Sequence, residues 1–183
     1  MGEKLPAEKP RSTAAGKMWK KKTWYDIHAP SMFGETKVGE TPASEPAQLL
    51  GRKVETSLGD LVQDVSKSYI KLFFQIKRVD GTKAFTEFVG HDLAQHFMRS
   101  QVRRRATKVD HITTVRTKDG TEIQVTSVVI TGRRVSRAKV KAIRSEIGVL
   151  IEGRAKERTF DQFVQEAVLG KLSADIYLSL IHI

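Results

Sequence analysis

The side chains best able to do chemistry in this 183-residue sequence are its five histidines and three runs of basic residues. His28, His91, His96, His111 and His182 are the candidates for acid–base work or metal ligation. His91 and His96 lie five apart, not the i, i+4 that sets two ligands on one helix face, and no third ligand is evident. His91-Asp92 and Asp110-His111 are sequence neighbours, which point to opposite faces of a strand and diverge on a helix. All five therefore read as structural or surface histidines. A nuclease using His91 or His111 as acid–base is the catalytic alternative. No glycine-rich phosphate loop, G-x-S-x-G elbow or paired-carboxylate arrangement stands out. Cysteine is absent, which excludes thiol nucleophiles, thiolate metal sites and disulfides. The expectation is a protein that is not an enzyme, with no catalytic residue, metal, cofactor or small-molecule substrate.

The basic runs carry more information. Residues 1–22 hold seven basic and two acidic side chains, residues 99–108 five and none, and residues 133–144 six and none. These stretches contain 18 of the 32 Lys and Arg but only two of the 21 Asp and Glu, so the net charge of +11 sits on an otherwise mildly acidic body. Crowded like charges repel unless a counter-charged partner neutralises them, which makes nucleic acid the first partner class. An anionic lipid surface is the second. Residues 1–22 lack the wide apolar face of an interfacial helix, and no apolar run approaches the roughly 18 residues of a span, so no membrane partner is expected.

The phosphate-contacting candidates are Arg99, Arg103, Arg104, Arg105 and Lys108 in the second run and Arg133, Arg134, Arg137, Lys139, Lys141 and Arg144 in the third. In the first run Lys20, Lys21 and Lys22 lie beside Trp19 and Trp24, interleaving cation and π-face as RNA-stacking surfaces do. Trp19 is the aromatic assigned to RNA. Trp24, Tyr25 and Phe33 stay open between that role and anchoring their own segment.

Four stretches must position these groups. Residues 1–22 are too poor in large apolar side chains to repay chain entropy and read as a disordered basic tail. Residues 23–50 read as an extended, irregular arm, because Pro30, Gly34, Gly39, Pro42 and Pro46 interrupt its aromatics. Residues 51–131 alternate with period two around Val54, then Ile70, Leu72, Phe74 and Ile76, and predict a β-rich core. Asp80-Gly81-Thr82 and Asp119-Gly120-Thr121 each supply a hairpin turn. One intervening helix is expected over 92–101, with Phe73, Phe85 and Phe88 in the core. Residues 132–183 are helical and packed on that core. There Val140, Ile143, Ile147, Leu150 and Ile151 form one stripe, Ser136 is an N-cap, Thr159 to Gln162 is a capping box, and Ser173 caps a third helix. The fold class is α+β: an antiparallel, barrel-like sheet flanked by C-terminal helices, with an extended basic N-terminal arm.

The stretch Lys22-Thr23-Trp24-Tyr25-Asp26-Ile27-His28-Ala29-Pro30-Ser31-Met32-Phe33 resembles the entry signature of the S-three-Ae (eS-one) family. So do Thr86 to Leu93, Thr117 to Gly120, the Ile143-Arg144 helix and Lys171 to Tyr177. These are small-subunit ribosomal proteins, and the compact size is similar to the archaeal branch. The resemblance implies a cytoplasmic structural component with small-subunit rRNA and neighbouring ribosomal proteins as partners. It also implies a place on the platform near the messenger exit, with messenger RNA as a further candidate partner. A free RNA chaperone or translational regulator is the alternative. Family members continue into a further basic segment where this sequence stops at Leu180-Ile181-His182-Ile183, so a truncated C-terminus is expected.

Overall fold

The computed structural model describes residues 22–182, and the tail expected over residues 1–22 lies outside them apart from Lys22. The chain divides into two compact units, one of residues 22–56 with 72–90 and the other of residues 57–71 with 91–182.

β1 (Thr23–His28), β2 (Lys37–Ala43), β3 (Lys53–Ser57), β4 (Ile70–Asp80) and β5 (Lys83–Leu93) form a sheet in the order β2-β1-β5-β4-β3. The sheet is open, with β2 and β3 as its edges, which corrects the barrel-like expectation. It is also mixed: β1 runs antiparallel to β2 but parallel to β5, pairing Ile27 with Ala84. Period-two alternation sets which side chains share a face; it does not set which strands become neighbours.

The segment expected as an irregular arm supplies two of these strands. Pro42 is tolerated because β2 is an edge, where alternate N–H groups need no partner. Tyr25, Ile27, Ala43, Leu49, Ile76 and Ala84 close one apolar cluster. Phe33 packs its ring 5.7 Å from Phe74 and 5.9 Å from Phe88. Tyr25 and Phe33 are therefore anchors, whereas Trp24 is 57% exposed. Phe88 is in the core as expected, but Phe85 lies on the other face, stacked by His28 at 5.9 Å and covered by the Arg78 guanidinium.

The second unit begins with α1 (Leu58–Val62), capped by Ser57, whose Oγ accepts from the Asp60 N–H. The helix expected from residue 92 starts later, as α2 (Gln95–Gln101), because β5 runs on to Leu93. There Asp92 accepts a hydrogen bond from the Leu93 N–H, a local bond that competes with helix formation. β6 (Lys108–Arg116) and β7 (Glu122–Ile130) form a separate antiparallel hairpin in continuous register from Lys108↔Ile130 to Arg116↔Glu122. Val109 and Val115 of β6 are buried, and Ile123, Val125 and Val129 of β7 lie against the same core.

That face is covered by α3 (Arg137–Glu157), through the stripe Ile143, Ile147, Ile151 and Ala155. Gly148 faces His111, whose Nε2 would stand 3.2 Å from a Cβ at that position, so the glycine makes room for the ring. α4 (Phe160–Val168) opens on the expected capping box of Thr159 and Gln162. Gly170, in the left-handed region at φ 86°, turns the chain into α5 (Lys171–Leu180). Ser173 lies inside α5, so the cap assigned to it falls to Gly170.

Candidate nucleic-acid interface

Arg105 and Arg133 are far apart in sequence, yet the hairpin register brings their neighbourhoods together. β6 and β7 are each nine residues long and pair without a bulge, so the residue before one strand meets the residue after the other. Thr107 and Thr131 occupy those places. The Thr131 N–H donates to the Thr107 carbonyl at 3.0 Å, and the Thr107 N–H donates to Thr131 Oγ1 at 3.1 Å. The Val135 N–H donates to Thr107 Oγ1 at 3.2 Å, and Thr131 Oγ1 also reaches the Arg133 carbonyl at 2.7 Å. From this tie the two chain segments diverge as the walls of an open cleft of about 850 Å³, lined by Arg104, Arg105, Ala106, Gly132, Arg133 and Arg134.

All four lining arginines are exposed. Among the described residues, none of Arg103, Arg104, Arg105, Arg133, Arg134, Arg137 and Lys141 is joined to a carboxylate. Arg105 also holds φ at 65°, the left-handed region where a side-chain-bearing residue is strained. The N-terminus of α3 adds to the field: its first turn contains no acidic residue, while Arg137, Lys139 and Lys141 sit near the positive end of the helix dipole. Cations there are disfavoured by about 0.3–1 kcal/mol each at low salt, a cost that an arriving anion offsets.

Other expected contacts have structural employment. Lys108 Nζ lies 3.1 Å from Asp110 Oδ1, and Arg144 Nε donates to the Asp110 carbonyl at 3.1 Å. Arg99 occupies the last turn of α2, where a cation complements the helix dipole. Ser136 holds the N-cap position of α3 through its carbonyl, which accepts from the Val140 N–H at 3.1 Å; its hydroxyl makes no cap bond. Trp19, Lys20 and Lys21 lie outside the described residues, and Lys22 directly precedes β1. Two of the histidines are built into the packing: His28 Nδ1 bonds the Glu35 carbonyl at 3.1 Å and His111 packs against Gly148, while the Nε2 of each is buried without a hydrogen-bond partner among the described residues.

Sequence reasoning missed Thr107 and Thr131, the pair that spaces the walls. The available signal was a threonine at the outer end of each strand of one hairpin.

The fold and this cleft define an α+β protein whose exposed, acid-free cations gather at one end of a β-hairpin. Comparison with known proteins identifies its kind: the Ribosomal S3Ae family matches residues 11–183, and the chain belongs to that family. Small ribosomal subunit protein eS1 of Sulfurisphaera tokodaii is 46% identical over 165 residues, 90% of this chain and 86% of the relative. The protein of the same name from Methanopyrus kandleri is 44% identical over 150 residues, 82% and 71% of the two chains. That of Desulfurococcus amylolyticus is 44% identical over 158 residues, 86% and 74%. The family is one of structural ribosomal proteins, not of enzymes.

Proposed function

We propose that this chain is a structural constituent of the small ribosomal subunit, held in the cytoplasmic ribosome by rRNA phosphates. The observation that carries the reading is the cleft of Arg104, Arg105, Arg133 and Arg134, without carboxylate partners among the described residues, in a member of the Ribosomal S3Ae family. Each phosphate neutralised by such a side chain releases condensed counterions, so affinity falls steeply as salt rises. Arg103, Arg137, Lys139 and Lys141 extend the same charged surface. Arg99, Lys108 and Arg144 join it at its margin, and Trp19, Lys20, Lys21 and Lys22 form a second contact from the N-terminal side. Neighbouring small-subunit proteins are the protein partners; Tyr177 and Leu178 of α5, with Ile181, leave an apolar strip exposed that suits them. A platform position near the messenger exit, where messenger RNA comes within reach, completes the proposal.

Sedimentation of a native lysate through sucrose at low and high salt tests it. The expected result is stoichiometric migration with the small subunit that withstands moderate salt. A chain found mostly in light fractions would sink the ribosomal assignment in favour of a free RNA-binding chaperone or regulator.

A further inference from the structure

We infer that the arginine cleft is a clamp for one unpaired RNA strand, not a platform for duplex. The inference rests on the RNA-binding reading above and adds the form of RNA that the site takes. Its first ground is shape. The walls diverge from the Thr107–Thr131 tie and carry Arg104 and Arg105 on one side and Arg133 and Arg134 on the other. The site is thus a notch with cations on both of the segments that line it. Duplex RNA is read by elements that protrude across its wide, shallow minor groove and touch the flanking phosphates. A notch has nothing to lay into such a groove. A single backbone, by contrast, can run between the walls with phosphates toward both.

Size gives the second ground. About 850 Å³ falls within the range of small-ligand pockets, a size that matches a short piece of one strand. Electrostatics gives the third. Clustered arginines without acidic partners among the described residues repel one another, and a line of anions between the two segments removes that repulsion from both together. Among the described residues the lining contains no aromatic side chain. Bases therefore find no ring to stack on, and the grip falls on phosphate and ribose. Recognition is accordingly tolerant of sequence and selective for strandedness. Gly132 keeps the floor of one wall bare, with nothing within 4 Å of where a Cβ would stand.

The test uses the full chain and two fluorescein-labelled probes, an unstructured 12-nucleotide RNA and a 12-base-pair duplex, titrated by anisotropy across a salt series. The variant is Arg104→Glu/Arg133→Glu, one charge on each wall. Both side chains are exposed, and thermal melting verifies that the fold is kept. The wild type should bind the single strand more tightly than the duplex. The variant should lose at least about tenfold on the single strand, with a salt slope shallower by roughly 0.7 per lost phosphate contact. Its duplex affinity should change much less.

Equal losses on both probes, or a wild type that prefers duplex, would overturn the clamp while leaving RNA binding in place. No binding to either probe at low salt would remove the RNA-binding reading itself, and the clamp with it. A second variant, Gly132→Leu, places a bulky side chain on the cleft lining without altering charge or adding a ring. It should reduce single-strand affinity alone; an unchanged affinity would show that the strand does not enter.

Discussion

The two ends of the β6–β7 hairpin are made by the same two strands and used in opposite ways. At the turn end the polar groups are spent on the protein itself. Arg116 pairs with Glu122 across the strands, and Asp119 Oδ2 accepts the Phe160 N–H at 2.8 Å, satisfying an orphan donor at the start of α4. The Lys118 N–H donates to the Arg158 carbonyl at 3.0 Å. At the open end Arg104, Arg105, Arg133 and Arg134 have no such partners among the described residues, and one of them holds a strained backbone. The turn end satisfies its polar groups from within the chain, and the open end leaves its charges for the anion proposed above. Charged residues on the surface are thus not equivalent: their value depends on whether the counter-charge is internal.

The largest effect should come from a substitution that ignores the distinction. Ile147 is 1% exposed beneath the hairpin, and Ile147→Ala should cost about 2–5 kcal/mol by denaturant unfolding. Because both ends ride on that core, RNA affinity should fall with it near the unfolding midpoint. A loss of stability well under 1 kcal/mol would mean the hairpin does not depend on α3.

Asp119→Ala should separate the ends. It removes a side-chain cap and should cost about 1 kcal/mol, while RNA affinity stays within twofold. Asp119→Asn, which keeps an acceptor, should recover part of the loss. A large drop in RNA binding with the fold intact would show that the turn end also meets RNA.

Arg105→Gly is the converse. Relief of the left-handed strain should leave stability unchanged or raise it by up to about 1 kcal/mol, whereas RNA binding weakens several-fold. Stability and binding falling together would mean that Arg105 is structural.

The smallest effect belongs to the five-stranded sheet, where cations are also paired internally. Lys37 Nζ lies 2.8 Å from Asp26 and 2.6 Å from Glu40. The hydrogen bond from Lys37 holds the Asp26 carboxyl below its ordinary value. A lowered carboxylate stabilises the fold above its unfolded value, and the contribution fades as pH falls through the folded value. The difference in melting temperature between wild type and Asp26→Asn should therefore be small at neutral pH, begin to shrink only below the ordinary carboxylate value near pH 4, and vanish once pH has fallen below the lowered folded value. A difference that grew on acidification would break the assignment.

Much of this architecture was legible in the residues. The α3 stripe, the Thr159 capping box and both Asp-Gly turns were readable because each depends on side chains within a few positions of one another. The segment from Thr23 to Ala43 was misread as irregular because Pro42 argues against a strand unless that strand is an edge, and edges are set by distant pairing. The barrel expectation failed for the same reason: alternation marks strands but does not close them. Of the basic residues, the runs were plain in the sequence. That Lys108 and Arg144 are both tied to Asp110 was not, since Asp110 and Arg144 meet only when α3 lies on β6.

The sequence by itself determined that the positive charge is segregated, that two hairpins and three C-terminal helices form, and that no thiol chemistry is available. Only the tertiary structure decided that residues 104–106 and 132–134 line one cleft. Charge segregation is a property of composition along the chain. A cleft needs two segments brought together by an unbroken strand register and held by the Thr107–Thr131 bonds, and those contacts span 24 positions of sequence.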